Sequence, residues 1–379
     1  MKILIATVFF ASNLILCQTI NNNISIEDFD NSAKHWYFIN DIDKIIYPQL
    51  EQKQYSVDQI ENIADNILLF QKENGGWAKN YDMLAVLTED QRDTVKRFKQ
   101  QTNTCFDNGT TWGQLKYLAF TYNLLNKNDY KIGYIKGIKY ILAAQYDNGG
   151  FPQFFPDTSG YAKHITFNDG AMIGVMNILK KIVERDSIYN IIGDSLYLKV
   201  NSAYNRGVNC IIKAQIINHG KITAWCQQHH YKNLLPVQAR SYEIPAISNS
   251  ESAEIVEFLM SIENPDEKIK KSVESAILWF KESKLEGFQV ETIKAEKIKY
   301  QYSTIDTDRI LVKNENAPSI WARYYDLETY KPVFCNRDGH IVYTFEEIER
   351  ERRVGYKWFV YDPKNALEKY EIWKKKLIR

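Results

Sequence analysis

A mostly α fold, an incomplete α/α toroid of helical hairpins with a few short strands, is what this sequence predicts. Apolar residues recur at i, i+3, i+4 and i+7 through most of the chain, the spacing of a helix with one buried face. A pattern also repeats: Gln71-Lys-Glu-Asn-Gly-Gly-Trp77 returns as Gln145-Tyr-Asp-Asn-Gly-Gly-Phe151. Each copy ends an apolar helix and precedes a second helix start, so the repeat reads as helix, Gly-Gly turn, rim loop, helix. Its period is too long for short solenoid repeats. Strand-like alternation is scarce and short.

In chain order, residues 18–50 are mixed and polar, a loop and partial helix packing on the body. A helix is expected over 57–72, opened by a Ser56/Gln59 capping pattern and stopped by Asn74-Gly75-Gly76. Further helices are expected over 110–125, 131–144, 170–184, 197–214, 251–262 and 268–283. Short strands are expected near 288–293 and 296–302, then charged helices over 346–353 and 366–376. No Pro/Gly/Ser-rich linker interrupts the chain, so 18–379 reads as one catalytic domain.

The chain has 379 residues, 45% hydrophobic and 25% charged, which places it among globular proteins. A formal net charge of +1 favours neither nucleic acid nor an anionic membrane. Met1-Lys2 followed by the apolar run 3–16 reads as a signal peptide over 1–17, too short to span a bilayer. A secreted or periplasmic protein is expected, and bulky Leu16 argues against lipid anchoring at Cys17. The remaining cysteines, Cys105, Cys210, Cys226 and Cys335, lack C-x-x-C spacing, which argues against zinc and a disulfide scaffold. One disulfide is allowed, with no pairing fixed. A monomer is expected.

Two stretches organise the chemistry. Asp107-Asn108-Gly-Thr-Thr111 and His164-Ile-Thr-Phe-Asn168-Asp169-Gly each set an acid beside an Asn at the mouth of an apolar helix. Asp and Asn are preferred N-caps, and Asn168 is read as one. Two such pairs could also gather oxygens of the kind that suit Ca²⁺. Arg240, in Ala239-Arg-Ser-Tyr242-Glu243, and Arg323, in Trp321-Ala-Arg-Tyr-Tyr325, sit among aromatics in rim-like segments. A guanidinium forks onto a carboxylate, either a ligand's or a structural acid's. Glu243 is expected to orient Arg240. Lys79 and Asn80 are candidates for carboxylate contact, against a solvated turn. His164 is a candidate to touch substrate or orient Asp169, against a structural histidine. Trp77, Trp112, Trp225 and Trp321 are read mainly as core.

Taken together, Asn74-Gly-Gly-Trp-Ala-Lys79-Asn80, Asp107-Asn108-Gly-Thr-Thr, Gly149-Gly-Phe-Pro-Gln-Phe-Phe-Pro156, His164-Ile-Thr-Phe-Asn-Asp169, Trp225-Cys-Gln-Gln-His229, Ala239-Arg240-Ser-Tyr-Glu243, Trp321-Ala-Arg323-Tyr-Tyr and Arg353-Val-Gly-Tyr-Lys-Trp358 resemble the pectate lyases of polysaccharide lyase family 10. The order and number of the motifs make the resemblance specific. It departs at Ala78, where Pro is expected, and at Thr104-Cys105-Phe106, where a small residue or Ile is more usual.

The resemblance implies a helical toroid acting on polygalacturonate, the α-1,4-linked galacturonate of pectin, by β-elimination to 4,5-unsaturated oligogalacturonides. It implies endo action, Arg240 as base, and Ca²⁺ on Asp107, Asn108 and Asp169, with Asp107 also counted catalytic. Arg323 would bind the substrate carboxylate, and Lys79, Asn80, His164, His229 and Tyr242 would contact substrate. An arginine is an unusual base, because its pKa is about 12.5 or higher; an alkaline optimum is therefore expected. Two other readings remain at this point. One is a glycoside hydrolase using Asp107 and Asp169 as its carboxylate pair. The other is a non-catalytic uronate-binding protein.

Overall fold

The computed structural model describes residues 25–39, 44–301 and 303–377. The signal peptide expected over 1–17, with Cys17, lies outside them. The described residues form two compact units. The first takes the chain up to 158 and again from 169 to 206; the second takes 159–168 and everything from 207. The boundary between 206 and 207 falls inside the helix Asp194–Ala214.

The first unit is helical: Asp30–Phe38, Ile60–Phe70, Glu89–Arg97, Trp112–Leu125, Asn128–Ala144 and Ala171–Val183. The repeat is a real structural unit. Gln71 Nε2 donates to the carbonyls of Gly75 and Gly133, both at 2.9 Å. Gln145 Nε2 does the same to Gly149 at 3.0 Å and Ala203 at 2.8 Å. Each glutamine thus ties its own turn to a later helix, and each such bond contributes about 1 kcal/mol. Gly75 and Gly149 take φ of +99° and +94°, which only glycine adopts cheaply. Trp77 closes the first copy from below, fully buried, its indole donating to Ile67 O at 2.8 Å.

The second unit holds the short strands with the helices Asn249–Met260, Glu267–Ser283, Arg350–Gly355 and Asp362–Leu377. Among the described residues every sheet is a two-stranded antiparallel pair. It carries a third copy of the glutamine clamp. Gln215 Nε2 donates to Thr223 O and Ser272 O, both at 2.9 Å, and the Trp225 indole donates to Ile211 O at 2.7 Å. Here the strands Ile217–Asn218 and Lys221–Ile222 replace the Gly-Gly turn.

The helices expected beyond residue 110 are present with shifted ends, the charged one over 346–353 beginning only at Arg350. The helix expected over 57–72 begins only at Ile60, because Gln59 turns its side chain back to accept from Ser56 N and caps nothing. The two strands expected over 288–302 are one strand, Phe288–Lys299, paired with Thr304–Lys313. The helix Glu89–Arg97 was not expected. It opens on a full capping box between Thr88 and Gln91. All four described cysteines are buried and unpaired thiols, so the allowed disulfide does not form among them.

Candidate functional site

In the first unit, Cys105 N donates to Trp77 O at 3.0 Å and Phe106 N to Gln153 O at 2.9 Å, fixing the segment that carries Asp107. The chain then turns through left-handed conformations at Asn108, Gly109 and Thr111, with φ of 54°, 77° and 69°. A Cβ at Gly109 would collide with the Asp28 carbonyl, so the turn can be this tight only with glycine. The turn corrects the expectation of capping. The helix Trp112–Leu125 has Thr111 as its N-cap, with no side-chain cap bond, and the Thr111 hydroxyl donates to Cys105 O instead.

Asp107 and Asn108 are therefore free for other work. Asp107 is buried, and its Oδ2 accepts from Lys79 Nζ at 2.6 Å. Its Oδ1 is buried without a hydrogen-bond partner among the described residues. Asn108 Oδ1 accepts from Asn31 Nδ2 at 2.6 Å, and Asn108 O accepts from Ser32 Oγ at 3.2 Å. Asn31 escaped the sequence reading, since nothing distinguishes it in a mixed polar stretch. Lys79 also stands 5.2 Å from the centre of the Phe154 ring, and Asn80 is buried at φ 66°.

The helix Ala171–Val183 has Gly170 as its N-cap, so Asn168 does not cap it either. Asp169 takes the same left-handed turn as Asn108, at φ 52°, and is exposed. Gly174 lies so close to the Trp112 ring that any Cβ would clash, which holds this helix start in place.

A hard cation prefers oxygen donors with open lone pairs. The orphaned Oδ1 of Asp107 meets that need, and the side-chain Oδ1 of Asn108 keeps a second lone pair beside its bond from Asn31. Asp169 offers an exposed carboxylate. Each of these oxygens is of the hard type that Ca²⁺ takes. No group of three or more His, Cys, Asp or Glu side chains suited to a metal occurs among the described residues. The oxygen set contains only two such residues.

In the second unit, strand pairing holds Arg323. Its N–H donates to Trp358 O at 2.7 Å, and its carbonyl accepts from Asn249 N at 2.9 Å. The guanidinium donates to Asn168 Oδ1 at 3.2 Å and pairs with Glu251. Glu251 also accepts from the Ser248 hydroxyl. Sequence reading missed Glu251, a lone acid in an apolar helical run. Arg240 sits in a tight turn where Ala239 N donates to Glu243 O at 3.0 Å and Glu243 N to Arg240 O at 2.9 Å. Its Nε donates to Glu243 Oε2 at 2.8 Å, and its Nη2 pairs with Oε1 of the same carboxylate. Glu243 orients Arg240, as expected. Tyr356 joins the two arginines. Its hydroxyl donates to Glu243 Oε1 at 3.2 Å, and its ring lies 5.0 Å from the Arg323 guanidinium carbon.

Charge sharpens the picture. Burial works to lower the Arg240 pKa, but the hydrogen bonds and charge of Glu243 outweigh it and raise the pKa above an ordinary arginine's. Glu243 is held below the usual carboxylate range: burial opposes this and Arg240 prevails. As arranged here, the pair holds its proton tightly. Tyr242 is buried with Arg240, Arg337 and Arg352 around its ring at 4.9, 5.7 and 4.7 Å. His229 is fully buried. Its Nδ1–H donates to Leu234 O at 2.7 Å and its Nε2 accepts from Cys226 N at 3.0 Å. Both nitrogens brace the loop leading to Arg240, and burial pushes its pKa down to about 4. His164 lies half-buried, its pKa lowered by burial and by the nearby His230 and Lys163.

Residues 71–367, well over half the chain, match the family of pectic acid lyases. No curated protein matches the chain. In fold it is similar to a family 10 polysaccharide lyase from Cellvibrio cellulosa, at 27% identity and a TM-score of 0.69, covering 83% of this chain and 95% of that one. A point mutant of that enzyme in complex with trigalacturonic acid matches at 26% identity and a TM-score of 0.68, covering 83% and 96%. The match is consistent with the mostly α class expected from the sequence. The chain belongs to the pectic acid lyase family and is a polysaccharide lyase.

Proposed function

We propose that the protein is an exported, monomeric, Ca²⁺-dependent pectate lyase that cleaves polygalacturonate by β-elimination. The observation that carries this reading is the pair of arginines, Arg240 and Arg323, each forked or anchored on a buried glutamate and joined through Tyr356. Guanidinium groups suit a substrate that carries a carboxylate on every sugar. The trigalacturonic acid bound by the related Cellvibrio enzyme supports the same substrate class. A hydrolase would instead need two opposed carboxylic groups, and Asp107 is committed to an ion pair with Lys79.

In this reading Arg323 receives the substrate carboxylate, with Lys79, Asn80, His164 and Tyr242 as further contacts. Arg240 takes the proton from C5, the C4–O bond breaks, a C4–C5 double bond forms, and the leaving oxygen is protonated. Ca²⁺ held by Asp107, Asn108 and Asp169 would withdraw charge from the substrate carboxylate and so ease loss of the C5 proton. Arg240 must give up its proton before it can act, and Glu243 opposes that. Activity is therefore expected to rise on the alkaline side. His229 contributes by bracing the loop that carries Arg240.

Product masses from polygalacturonate test the reading. Elimination leaves new ends whose combined mass equals the parent chain, whereas hydrolysis adds one water per cut. Chains cut with added water would overturn the lyase chemistry. Binding without any cut, at alkaline pH with Ca²⁺, would return the protein to a binding role.

A further inference from the structure

Tyr356, from the motif Arg353-Val-Gly-Tyr-Lys-Trp358, has one hydroxyl proton and two acceptors in reach. Tyr324 Oη lies 2.6 Å away and Glu243 Oε1 3.2 Å away. Tyr324 does not supply the proton between the two phenol oxygens, because its own goes to Gln227 Oε1. The orientation of Gln227 follows from Glu243. Burial works to raise the Glu243 pKa, but Arg240 and then the Gln227 side chain hold it below the usual carboxylate range. An ionised carboxylate only accepts, so Gln227 turns its N–H₂ towards Glu243 and its Oε1 towards Tyr324. Tyr324, Gln227 and Glu243 are all buried, so a misplaced proton among them is costly.

The two placements of the Tyr356 proton act differently on Arg240. With the proton on Tyr324, Glu243 leans on the Arg240 guanidinium, which reaches it through Nε and Nη2. With the proton turned to Glu243 Oε1, the carboxylate keeps a donor after the guanidinium withdraws. Only rotation of the phenol O–H separates the two. Nearly half of the Arg240 side chain faces solvent, which gives it room to withdraw. The other charges facing this corner are Arg337 and Arg352 on the Tyr242 ring, both paired with Glu351, and Arg323 with Glu251 beside Tyr356. The Cys335 thiol reaches the Ser241 carbonyl at 3.8 Å. Burial raises the pKa of Tyr324 and Tyr356, so changing either to Phe removes a hydroxyl and no charge.

We propose that Tyr356 is a positioning residue whose hydroxyl turns from Tyr324 to Glu243 as Arg240 leaves that carboxylate for the substrate. The proposal rests on the reading of the protein as a pectate lyase with Arg240 as its base. It gives the two tyrosines opposite effects. Without the Tyr356 hydroxyl, Glu243 loses the donor that replaces Arg240, and the guanidinium holds its proton more tightly. Without the Tyr324 hydroxyl, the Tyr356 proton stays on Glu243, and the guanidinium is released more readily.

The test compares wild type with Tyr356→Phe and Tyr324→Phe. Initial rates on polygalacturonate are read across pH. The alkaline rise of kcat should move about one pH unit up in Tyr356→Phe and about one down in Tyr324→Phe, with KM within about twofold. A second readout needs no turnover. Phenylglyoxal condenses with the unprotonated guanidine, and peptide masses report its rate at Arg240 against the exposed Arg97. Relative labelling of Arg240 should slow about tenfold in Tyr356→Phe and quicken in Tyr324→Phe. Shifts in the same direction, or in neither variant, would overturn the proposal and leave both tyrosines as packing. If Tyr324→Phe does not fold, slowed labelling in Tyr356→Phe supports the proposal and unchanged labelling overturns it. If no lyase product forms while labelling moves in opposite directions, the lyase reading falls and the coupling of Tyr356 to Arg240 stands.

Discussion

Arg323 and Arg240 make the same kind of ion pair in opposite surroundings. The Arg323 side chain is 13% exposed against a Glu251 that is 5% exposed, and Asn168 and the Tyr356 ring enclose it further. The Arg240 side chain is 46% exposed against a Glu243 that is 3% exposed. The first has no direction in which to release its partner. The second can swing towards solvent, while Glu243 keeps bonds from the Tyr356 hydroxyl and from Arg240 N at 3.2 Å each. The difference teaches that one arginine is built to stay and the other to exchange partners, as a fixed carboxylate anchor and a proton acceptor would require.

Four experiments break or sharpen that contrast. Turnover on polygalacturonate should fall about a hundredfold to ten-thousandfold in Arg240→Ala, the range for a lost general base, with a smaller loss of stability than in Arg323→Ala because nearly half of the Arg240 side chain faces solvent. Arg323→Ala should do more harm to the fold. It leaves Glu251 buried without its cation, a loss of about 3–5 kcal/mol that chemical denaturation would read. Equal stability losses in the two variants would remove the contrast.

The third reads by pH the histidine that braces the Arg240 loop. His229 is neutral when folded, with its pKa pushed down to about 4 by burial. The unfolded chain therefore binds its proton first as pH falls through about 6.5, and stability declines from there to about pH 4. The total is about 3 kcal/mol at about 1.36 kcal/mol per unit. Replacing His229 with Gln should flatten that slope in a denaturation series, whereas a slope left intact would assign it to other groups. The fourth effect is the smallest. Glu243 raises the Arg240 pKa, so Glu243→Gln should move the alkaline rise of the rate towards lower pH. A rise that stays in place would detach the rate profile from this pair.

Much of this was legible in the sequence. The Gln71 and Gln145 repeats announced the clamp because their Gly-Gly turns are spelled alike. The Gln215 copy hid because a two-stranded hairpin replaces the glycines, although Trp225 stands at the corresponding place. The helix Glu89–Arg97 hid because only Gln91 and Val95 of it are buried, too few for a periodic signal. The capping role read into Asp107, Asn108 and Asn168 failed for a backbone reason. Left-handed turns intervene before each helix and hand the cap to Thr111 and Gly170. Arg240 with Glu243 was readable because three positions separate them. Arg323 with Glu251 was not, since only the fold brings residues so distant in the chain together.

The most direct measurement is ultraviolet absorbance of the conjugated product from polygalacturonate at alkaline pH, with Ca²⁺ and then with chelator, for wild type and Arg240→Ala. The account predicts a signal in wild type that the chelator and the substitution each abolish. New reducing ends without that absorbance would contradict it, and would return Asp107 and Asp169 to the role of a hydrolytic pair.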